Sequence, residues 1–320
     1  MTDVVVGMDI GGTNTKIGLV AHDGQCLAQA DLSTTDYPDV NKYVAAVRTE
    51  IDRMISASKT PVALTGIGIG APNGNYYHGT IEHAPNLVWK GIVPLADMFR
   101  TFYPVPVALT NDANAAAIGE MLFGGAKDMR NFIVITLGTG VGSGIVVNGE
   151  LLYGHDGFAG EIGHTIFDPQ GRDCGCGRHG CLETYASAGG IVRTVFELLA
   201  NSREASELRD IPFDTMTSKM VAEAAQRGDT IALQAFDRTG YILGLKLADS
   251  VAHLSPEAIF LFGGLAKAGD LIFKPTHRYM EENMLAIFKN KVKLLPSGLT
   301  HGNVAILGAA ALIYKELNKA

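Results

Sequence analysis

Short apolar runs separated by glycine turns organise the start of the chain. Residues 4 to 10 are almost all apolar and predict a buried strand, residues 11 to 14 predict a turn, and residues 16 to 20 predict a returning strand. The same succession returns at residues 132 to 147. An offset of 127 residues aligns the two copies, pairing Asp9 with Thr136, Gly11 with Gly138 and Val20 with Val147. The repeat predicts two related half-molecules that face each other.

Strand and helix patterns alternate along the rest of the chain. Further strands are predicted at residues 26–31, 65–70, 105–110 and 258–262, and helices at residues 39–56, 111–122, 188–200, 217–227, 230–254 and 304–317. This alternation predicts an α/β fold, and 320 residues exceed the usual size of one compact domain. We predict an N-terminal domain at residues 1–114 and a larger one at residues 115–303. The helix at 304–317 is expected to return to the first domain.

Composition narrows the class of protein. The net charge of −7 argues against a nucleic-acid partner, because no domain-wide basic face is available. A long uncharged stretch, residues 131 to 149, is interrupted by Gly138, Gly140, Gly142 and Gly144 and predicts a hairpin, not a membrane span. No export signal precedes the first strand, so a cytoplasmic location is expected. In a reducing compartment the four cysteines favour metal binding over disulfides.

The densest chemical feature is a cysteine-rich segment near the middle of the chain. Cys174, Cys176 and Cys181 lie within eight residues, and His164 precedes the first of them by ten. Three thiolates and one imidazole form a closed tetrahedral ligand set for a structural zinc ion. Their spacing within a glycine-rich loop argues against three unrelated buried thiols. The segment at residues 160–183 is therefore predicted to be a zinc-binding insert.

The two glycine turns are candidate phosphate loops. Neither fits a standard phosphate-binding sequence, since no Gly-Lys pair occurs and the dinucleotide fingerprint fails at Ser143. Glycine nonetheless lets several backbone N–H groups converge on an anion, and Thr13 and Thr139 add hydroxyl donors. Asp9 ends the first strand, where a carboxylate suits Mg²⁺. A single copy would favour a plain hairpin turn; the second copy and Gly263-Gly264 favour phosphate binding.

Asp112 begins a predicted helix directly after a strand, and two roles suit that position. An aspartate there caps the helix. An aspartate can also accept the proton of a hydroxyl nucleophile, as in kinases. The helix N-terminus favours the ionised carboxylate, and the neighbouring Asn111 can bind a sugar hydroxyl. The two roles are compatible, and the sequence leaves both open.

Together these segments resemble the ROK family of bacterial sugar kinases and repressors. The resemblance rests, in the order of the family, on Asp9-Ile10-Gly11-Gly12-Thr13, Asn111-Asp112-Ala113-Asn114, residues 137–144, Gly160-Glu161-Ile162-Gly163-His164 and residues 174–183. It implies the two-domain actin-like ATPase (ribonuclease H-like) fold, with an active-site cleft between the domains and a zinc-binding insert. It also implies a sugar and ATP as substrates and a homodimer as the expected assembly.

The resemblance also implies roles for individual residues. Asp112 would be the catalytic base, with Mg²⁺ as the catalytic ion and structural Zn²⁺ on His164, Cys174, Cys176 and Cys181. The sugar would contact Asn73, Gly74, Asn86, Asn111, Asp112, Glu161, His164 and Glu183. The ATP side would comprise Asp9, Gly11, Gly12, Thr13, Thr139, Gly140, Gly263 and Gly264.

Within the family, residues 84–87, Trp89 and the cysteine segment are most similar to glucokinases. The resemblance therefore implies phosphorylation of the 6-hydroxyl of glucose by ATP. Kinases of N-acetylglucosamine, mannose or fructose are alternatives, as is polyphosphate as the donor. A sugar-sensing regulator is a further alternative, although a repressor needs a DNA-binding helix-turn-helix before the first glycine loop, and only eight residues precede Asp9.

Overall fold

The computed structural model describes residues 2–299 and 303–319, which divide into two compact units. Unit 1 contains the described residues up to Arg130, residues 144–159 and the described residues from Ser297 onward; unit 2 contains residues 131–143 and 160–296. This division differs from the boundary predicted after residue 114. The difference arises because the helix that follows packs in unit 1 and because residues 144–159 return to that unit.

Unit 1 is built around a five-stranded mixed sheet. Its elements up to residue 122 are β1 (Thr2–Ile10), β2 (Asn14–Ala21), β3 (Cys26–Ser33), α1 (Val40–Ser56), β4 (Val62–Gly70), β5 (Gly74–Asn75), β6 (Thr80–Glu82), β7 (Ile92–Val93), α2 (Leu95–Arg100), β8 (Val107–Thr110) and α3 (Asp112–Leu122). The strand order is β3-β2-β1-β4-β8, and β5, β6 and β7 form a small separate sheet. The hairpin of β1 and β2 is antiparallel, whereas β4 and β8 join it in parallel.

The remaining elements include a second sheet with the same plan. They are β9 (Phe132–Leu137), β10 (Val141–Val147), β11 (Glu150–Leu151), α4 (Glu183–Ala186), α5 (Ala188–Asn201), α6 (Ser218–Gln226), α7 (Thr230–Leu254), β12 (Ala258–Phe262), α8 (Asp270–Asn283), β13 (Lys293–Pro296) and α9 (Val304–Leu317). The second five-stranded sheet has the order β11-β10-β9-β12-β13. Strand by strand, this order matches that of the first sheet, so the repeat predicted from the glycine turns is confirmed in the topology.

The helix α9 lies directly on the first sheet. A stripe of glycines makes this close approach possible, because a side chain at Gly7 or Gly68 would collide with the α9 carbonyls of Ile306 or Ala309. Apolar residues of α9 then form a buried cluster with Val5 of β1 and Val20 of β2. The helix therefore belongs to the core of unit 1.

Local sequence explains where several helices begin. Asp39 precedes α1, and its carboxylate accepts the N–H of Asn41 at 2.8 Å. Asp229 likewise caps α7, and its carboxylate accepts the N–H of Ala232 at 2.9 Å. Among the described residues, none of the helices combines the length and the hydropathy that a membrane-spanning segment needs.

Candidate active site

In unit 1, the candidate chemical groups lie at the carboxyl ends of three adjacent parallel strands. The ladder sets Asp9 of β1 opposite Gly70 of β4, and Gly70 opposite Thr110 of β8. Asn111 and Asp112 follow β8 directly, at the start of α3. Side chains from separate parts of the sequence therefore lie together at the carboxyl ends of these strands. Ligands usually bind at this end in open parallel sheets.

The expectation that Asp112 caps α3 is wrong, because Asn111 is the N-cap and Asp112 is the first residue of the helix. The Asp112 side chain still lies at the helix N-terminus. Its carboxylate accepts the N–H of Ala113 at 2.8 Å, and the side chain of Asn111 accepts the same N–H at 2.9 Å. Asp112 as a whole residue is exposed to solvent. Protein nevertheless surrounds the carboxylate closely enough that desolvation raises its pKa, although the hydrogen bond from Ala113 opposes that effect. A reachable carboxylate with a raised pKa is suited to accept a proton.

Asp9 lies in an electrostatically strained position. Its pKa is raised to about 6, mainly by desolvation and further by the negative charge of Asp112, while Lys16 on the neighbouring strand partly offsets both effects. A divalent cation beside Asp9 would stabilise the ionised forms of both carboxylates. These two residues therefore fit the Mg²⁺ expected at the end of β1.

The predicted sugar loop of unit 1 is fixed by its own hydrogen bonds. Asn73 adopts a left-handed backbone conformation, φ 51°, and its amide donates to the carbonyl of Glu82 at 3.0 Å. Gly74 packs so closely on the carbonyl of Thr110 that no side chain fits there. Asn86 is exposed, and its carbonyl packs against Gly12 of the first glycine turn. The fold thus brings the 73–74 loop beside the end of β8 and Asn86 beside the first phosphate loop.

In unit 2, the second glycine turn and Gly263 lie side by side. Phe262, the last residue of β12, pairs with Thr136 of β9, so both loops leave the same end of adjacent strands. Gly263 has φ 108° and lies against the carbonyl of Leu137, a position that excludes any side chain. Thr139 is exposed at the tip of the turn. The predicted ATP residues of this unit, Thr139, Gly140, Gly263 and Gly264, therefore form one local cluster.

Glu183 links that turn to the cysteine segment. One carboxylate oxygen accepts the N–H of Val141 at 3.0 Å and lies where a side chain on Gly140 would have to be. The other oxygen is 3.8 Å from Sγ of Cys174. Glu183 is thus held at both oxygens, between the candidate phosphate loop and the candidate metal site.

The four predicted metal ligands converge in unit 2. The candidate ligand atoms of His164, Cys174, Cys176 and Cys181 all lie within 4.8 Å of one another. Cys174 Sγ is 3.7 Å from His164 Nδ1, and Cys176 Sγ is 3.7 Å from Cys181 Sγ. Tetrahedral bonds of about 2.3 Å to sulfur and 2.0 Å to nitrogen imply ligand separations of about 3.5–3.8 Å. The donor set and its spacing therefore fit Zn²⁺.

A carboxylate lies near the second nitrogen of the His164 imidazole. Nδ1 faces the cysteines, whereas Nε2 is 4.0 Å from a carboxylate oxygen of Glu161. Metal-bound histidines commonly present their second nitrogen to a carboxylate, which fixes the ring orientation. Arg178 also donates to the backbone carbonyl of His164 at 2.9 Å. A metal bound at Nδ1 would therefore leave Nε2 facing the carboxylate of Glu161.

A residue that the sequence analysis missed supports this loop. Arg172 is almost buried, with a side chain 9% exposed, and pairs with Glu197 of α5 at 2.7 Å. Its guanidinium also donates to the carbonyls of Thr184 and Gly190 and stacks 4.4 Å from the ring of Tyr185. Arg172 therefore fastens the cysteine segment to α4 and α5. Nothing in its sequence neighbourhood indicated this role, because its partners are remote in sequence.

Comparison with known proteins identifies the family. A model described as ROK family matches residues 5–316. The chain belongs to the ROK family. A glucokinase of Halalkalibacterium halodurans is 39% identical over 280 residues, which cover 86% of this chain and 84% of that protein. The crystal structure of a ROK family glucokinase from Streptomyces griseus, in complex with glucose and AMPPNP, superposes with a TM-score of 0.81 at 32% identity, covering 97% and 98% of the two chains.

A regulator shares the fold as well. The crystal structure of a ROK family transcriptional regulator, described as a homologue of the Escherichia coli MLC protein, superposes with a TM-score of 0.87 at 28% identity. It covers 99% of this chain but 79% of that chain. The family membership confirms the predicted actin-like ATPase fold, an α/β architecture with mixed sheets.

The strained position of Asp9 gives a first prediction. A raised pKa in the folded state means that the charged form destabilises the fold above about pH 6, and that this penalty disappears as the pH falls toward 4. Asp9→Asn should therefore raise the free energy of unfolding at pH 7.5 by about 1–3 kcal/mol in the absence of magnesium and nucleotide. At pH 4.5 the gain should fall to about one third of its value at pH 7.5, because the pH then lies well below the folded-state pKa but still above the unfolded value of 3.8. Urea unfolding at the two pH values measures it.

Asp3→Asn is the matched control, because Asp3 is an exposed carboxylate on the same strand. It should change the free energy of unfolding by less than about 0.5 kcal/mol at either pH. A change in the free energy of unfolding of the Asp9 variant that is the same at both pH values, or a loss of stability at pH 7.5, would contradict the electrostatic explanation.

Proposed function

We propose that the protein transfers the γ-phosphoryl group of ATP to the 6-hydroxyl of glucose. The observation that carries the proposal is Asp112, a solvent-accessible carboxylate with a raised pKa at the end of β8, where its chemistry suits a general base. Family membership and the glucokinase relatives supply the substrate class. The protein is accordingly a sugar kinase, with glucose as the proposed acceptor.

In the proposed reaction, Asp112 accepts the proton of the 6-hydroxyl as the sugar oxygen attacks the γ-phosphorus. The new bond joins the sugar oxygen to phosphorus, the bond to the bridging oxygen of ADP breaks, and ADP leaves with its electron pair. Asn111 and the loop from Asn73 would hold neighbouring hydroxyls. Sugar contacts from unit 2 would come from Glu161, His164 and Glu183.

The donor phosphates would lie against the glycine turns. Backbone N–H groups around Gly11, Gly12 and Thr13, and around Thr139 and Gly140, suit the phosphate oxygens. The close packing at Gly12 and Gly140 supports this assignment, since a side chain at either position would collide with a neighbouring residue. Asp9 would hold Mg²⁺, which supplies positive charge to the phosphate oxygens.

The cysteine segment would bind one structural Zn²⁺. The spacing of His164, Cys174, Cys176 and Cys181 supports this, and four protein ligands leave no open coordination position for catalysis. Its proposed contribution is positional, because Glu161 and Glu183 each lie within 4.0 Å of a ligand residue.

The identity of the sugar gives the second prediction. A coupled assay of ADP release should give the highest kcat/KM with glucose, at least about tenfold above mannose, N-acetylglucosamine, N-acetylmannosamine and fructose. Polyphosphate in place of ATP should give no turnover. The Asp112→Asn protein, purified identically, controls for contaminating kinases.

The results of this assay distinguish the identity of the sugar from the kinase activity itself. A different preferred hexose would replace glucose while keeping the kinase assignment. Binding of a sugar without turnover of any hexose would instead favour a sugar-sensing regulator, the class represented by the MLC homologue. A cytoplasmic homodimer completes the proposal, and light scattering of the purified protein tests the dimer.

A further inference from the structure

A compact loop lies immediately before Glu161 in the chain. Residues 153–159 close on themselves, since the N–H of Ala159 donates to the carbonyl of Tyr153 at 3.0 Å. Gly154 has φ 77° and packs directly against Ala159. The loop, which we call the 153–159 loop, is therefore a small closed unit and not an extended connection.

The 153–159 loop is fastened to the rest of unit 1 by a buried asparagine. Asn75 of β5 is 1% exposed, and its Nδ2 donates to the carbonyl of Asp156 at 2.9 Å. Its Oδ1 accepts the N–H groups of Tyr77 at 3.0 Å and His78 at 3.3 Å. Gly157 packs against the same amide with φ 92°, so a side chain there would collide with it. One side chain thus joins its own turn to the loop.

Tyrosines add two further contacts to the same loop. The hydroxyl of Tyr77 donates to the carbonyl of Gly154 at 2.8 Å. The ring of Tyr76 stacks on the ring of Tyr153 with 4.0 Å between centroids and 7° between planes. Three consecutive residues, Asn75, Tyr76 and Tyr77, therefore each hold a different part of the loop.

The chain passes from unit 1 to unit 2 directly after this loop, between Ala159 and Gly160. Gly160 has φ 98°, and its carbonyl accepts a hydrogen bond from the hydroxyl of Ser143. The same hydroxyl accepts the N–H of Ile162 at 3.2 Å. The peptide bond between Ala159 and Gly160 is thus anchored on both sides, and Glu161 follows it immediately.

We propose that Asn75 is a positioning residue for sugar binding, which acts by holding the 153–159 loop and through it the backbone of Glu161. The proposal rests on the proposed function, since Glu161 is a sugar ligand only in that scheme. Asn75 itself touches neither substrate in this proposal. Its effect is to fix where the chain enters unit 2, so that the carboxylate of Glu161 meets the sugar hydroxyls without a further ordering cost.

The decisive variant is Asn75→Asp. Aspartate keeps the oxygen that accepts from Tyr77 and His78 but replaces the N–H₂ donor with an oxygen facing the carbonyl of Asp156. We expect the KM for glucose to rise about 5- to 20-fold, while kcat and the KM for ATP change less than about threefold. Tyr77→Phe removes one hydroxyl and should raise the KM for glucose about two- to fourfold. Tyr77 is exposed, so the Tyr77→Phe protein should fold. This variant therefore still tests the proposal if the Asn75→Asp protein misfolds.

Tyr103→Phe is the matched control, because its hydroxyl also binds within unit 1 but to α1, donating to the carboxylate of Asp52 at 2.8 Å, and not to the 153–159 loop. Its kinetic constants should equal those of the wild type. A double-mutant cycle with Glu161→Gln separates positioning from general stability. In the Glu161→Gln background, Asn75→Asp should raise the KM for glucose less than about twofold further.

The possible results separate the two proposals. A folded Asn75→Asp protein with wild-type KM for glucose would overturn the role of Asn75 and leave the kinase proposal intact. Full additivity with Glu161→Gln, or equal changes in the KM values for glucose and ATP, would also overturn it. A wild-type protein that turns over no hexose would overturn the proposed function and the role of Asn75 with it.

Discussion

Replacing Asp112 with asparagine should lower kcat for glucose phosphorylation by about 10²- to 10⁴-fold. The amide lacks the basicity to accept the proton of the 6-hydroxyl. It can still accept the N–H of Ala113, and Asn111 caps the helix independently, so α3 should begin at the same residue. Turnover is measured by ADP release at saturating ATP and glucose.

Glucose binding separates the chemical role of Asp112 from a structural one. The chain's single tryptophan, Trp89, is buried in unit 1 and provides a fluorescence signal. The dissociation constant for glucose in Asp112→Asn should stay within about fivefold of the wild type. Wild-type turnover in this variant would refute the base assignment, and loss of glucose binding together with turnover would make Asp112 a binding residue only.

Disrupting the cysteine cluster should have the second largest effect. Cys176 is the exposed member of the set, so both chelators and mutation reach it first. Cys176→Ser, or chelation of the wild type, should weaken glucose binding about 10- to 100-fold and lower the melting temperature. The reason is that His164 and Cys174, which contact Glu161 and Glu183, would lose the ion that fixes them.

Metal content and reconstitution test this explanation. Mass spectrometry of the native wild type should find about one zinc per chain. Zinc should restore glucose affinity to the chelated wild type, whereas magnesium should not. Cys26→Ser is the control, because Cys26 lies in unit 1 and serine can keep its bond to the carbonyl of Ala28. Unchanged glucose affinity in zinc-free protein would contradict the coupling.

Most of the fold could be predicted from periodicity because its strands and helices are regular. The hairpin of β1 and β2, its second copy and the long helix α7 all lie where the pattern placed them. The helix α8 did not follow from the pattern, since Pro275 lies inside it and proline normally ends a helix. Gly240 of α7 leaves space for the ring of Pro275, a tertiary contact that no local pattern reveals.

The candidate site also contains residues that the sequence predicts and residues that it does not. The four candidate metal ligands could be predicted because their chemistry is recorded in residue type and spacing, and the structure brings all four together. Asp9 and Asp112 were identified from their places at strand ends, but their mutual repulsion depends on strand order, which the sequence does not display. Arg172 and Asn75 act through partners 12 to 81 residues away, so no local signal marked them.

The packing of α9 on the first sheet has a consequence for synthesis on the ribosome. The strands β1 and β2 emerge first, yet the helix that covers their glycine stripe emerges last among the described helices. All of unit 2 lies before α9 in the chain. Unit 1 can therefore complete its core only after all of unit 2 has been synthesised. Unit 1 is the first of the two units to begin synthesis and the last to have its whole core available.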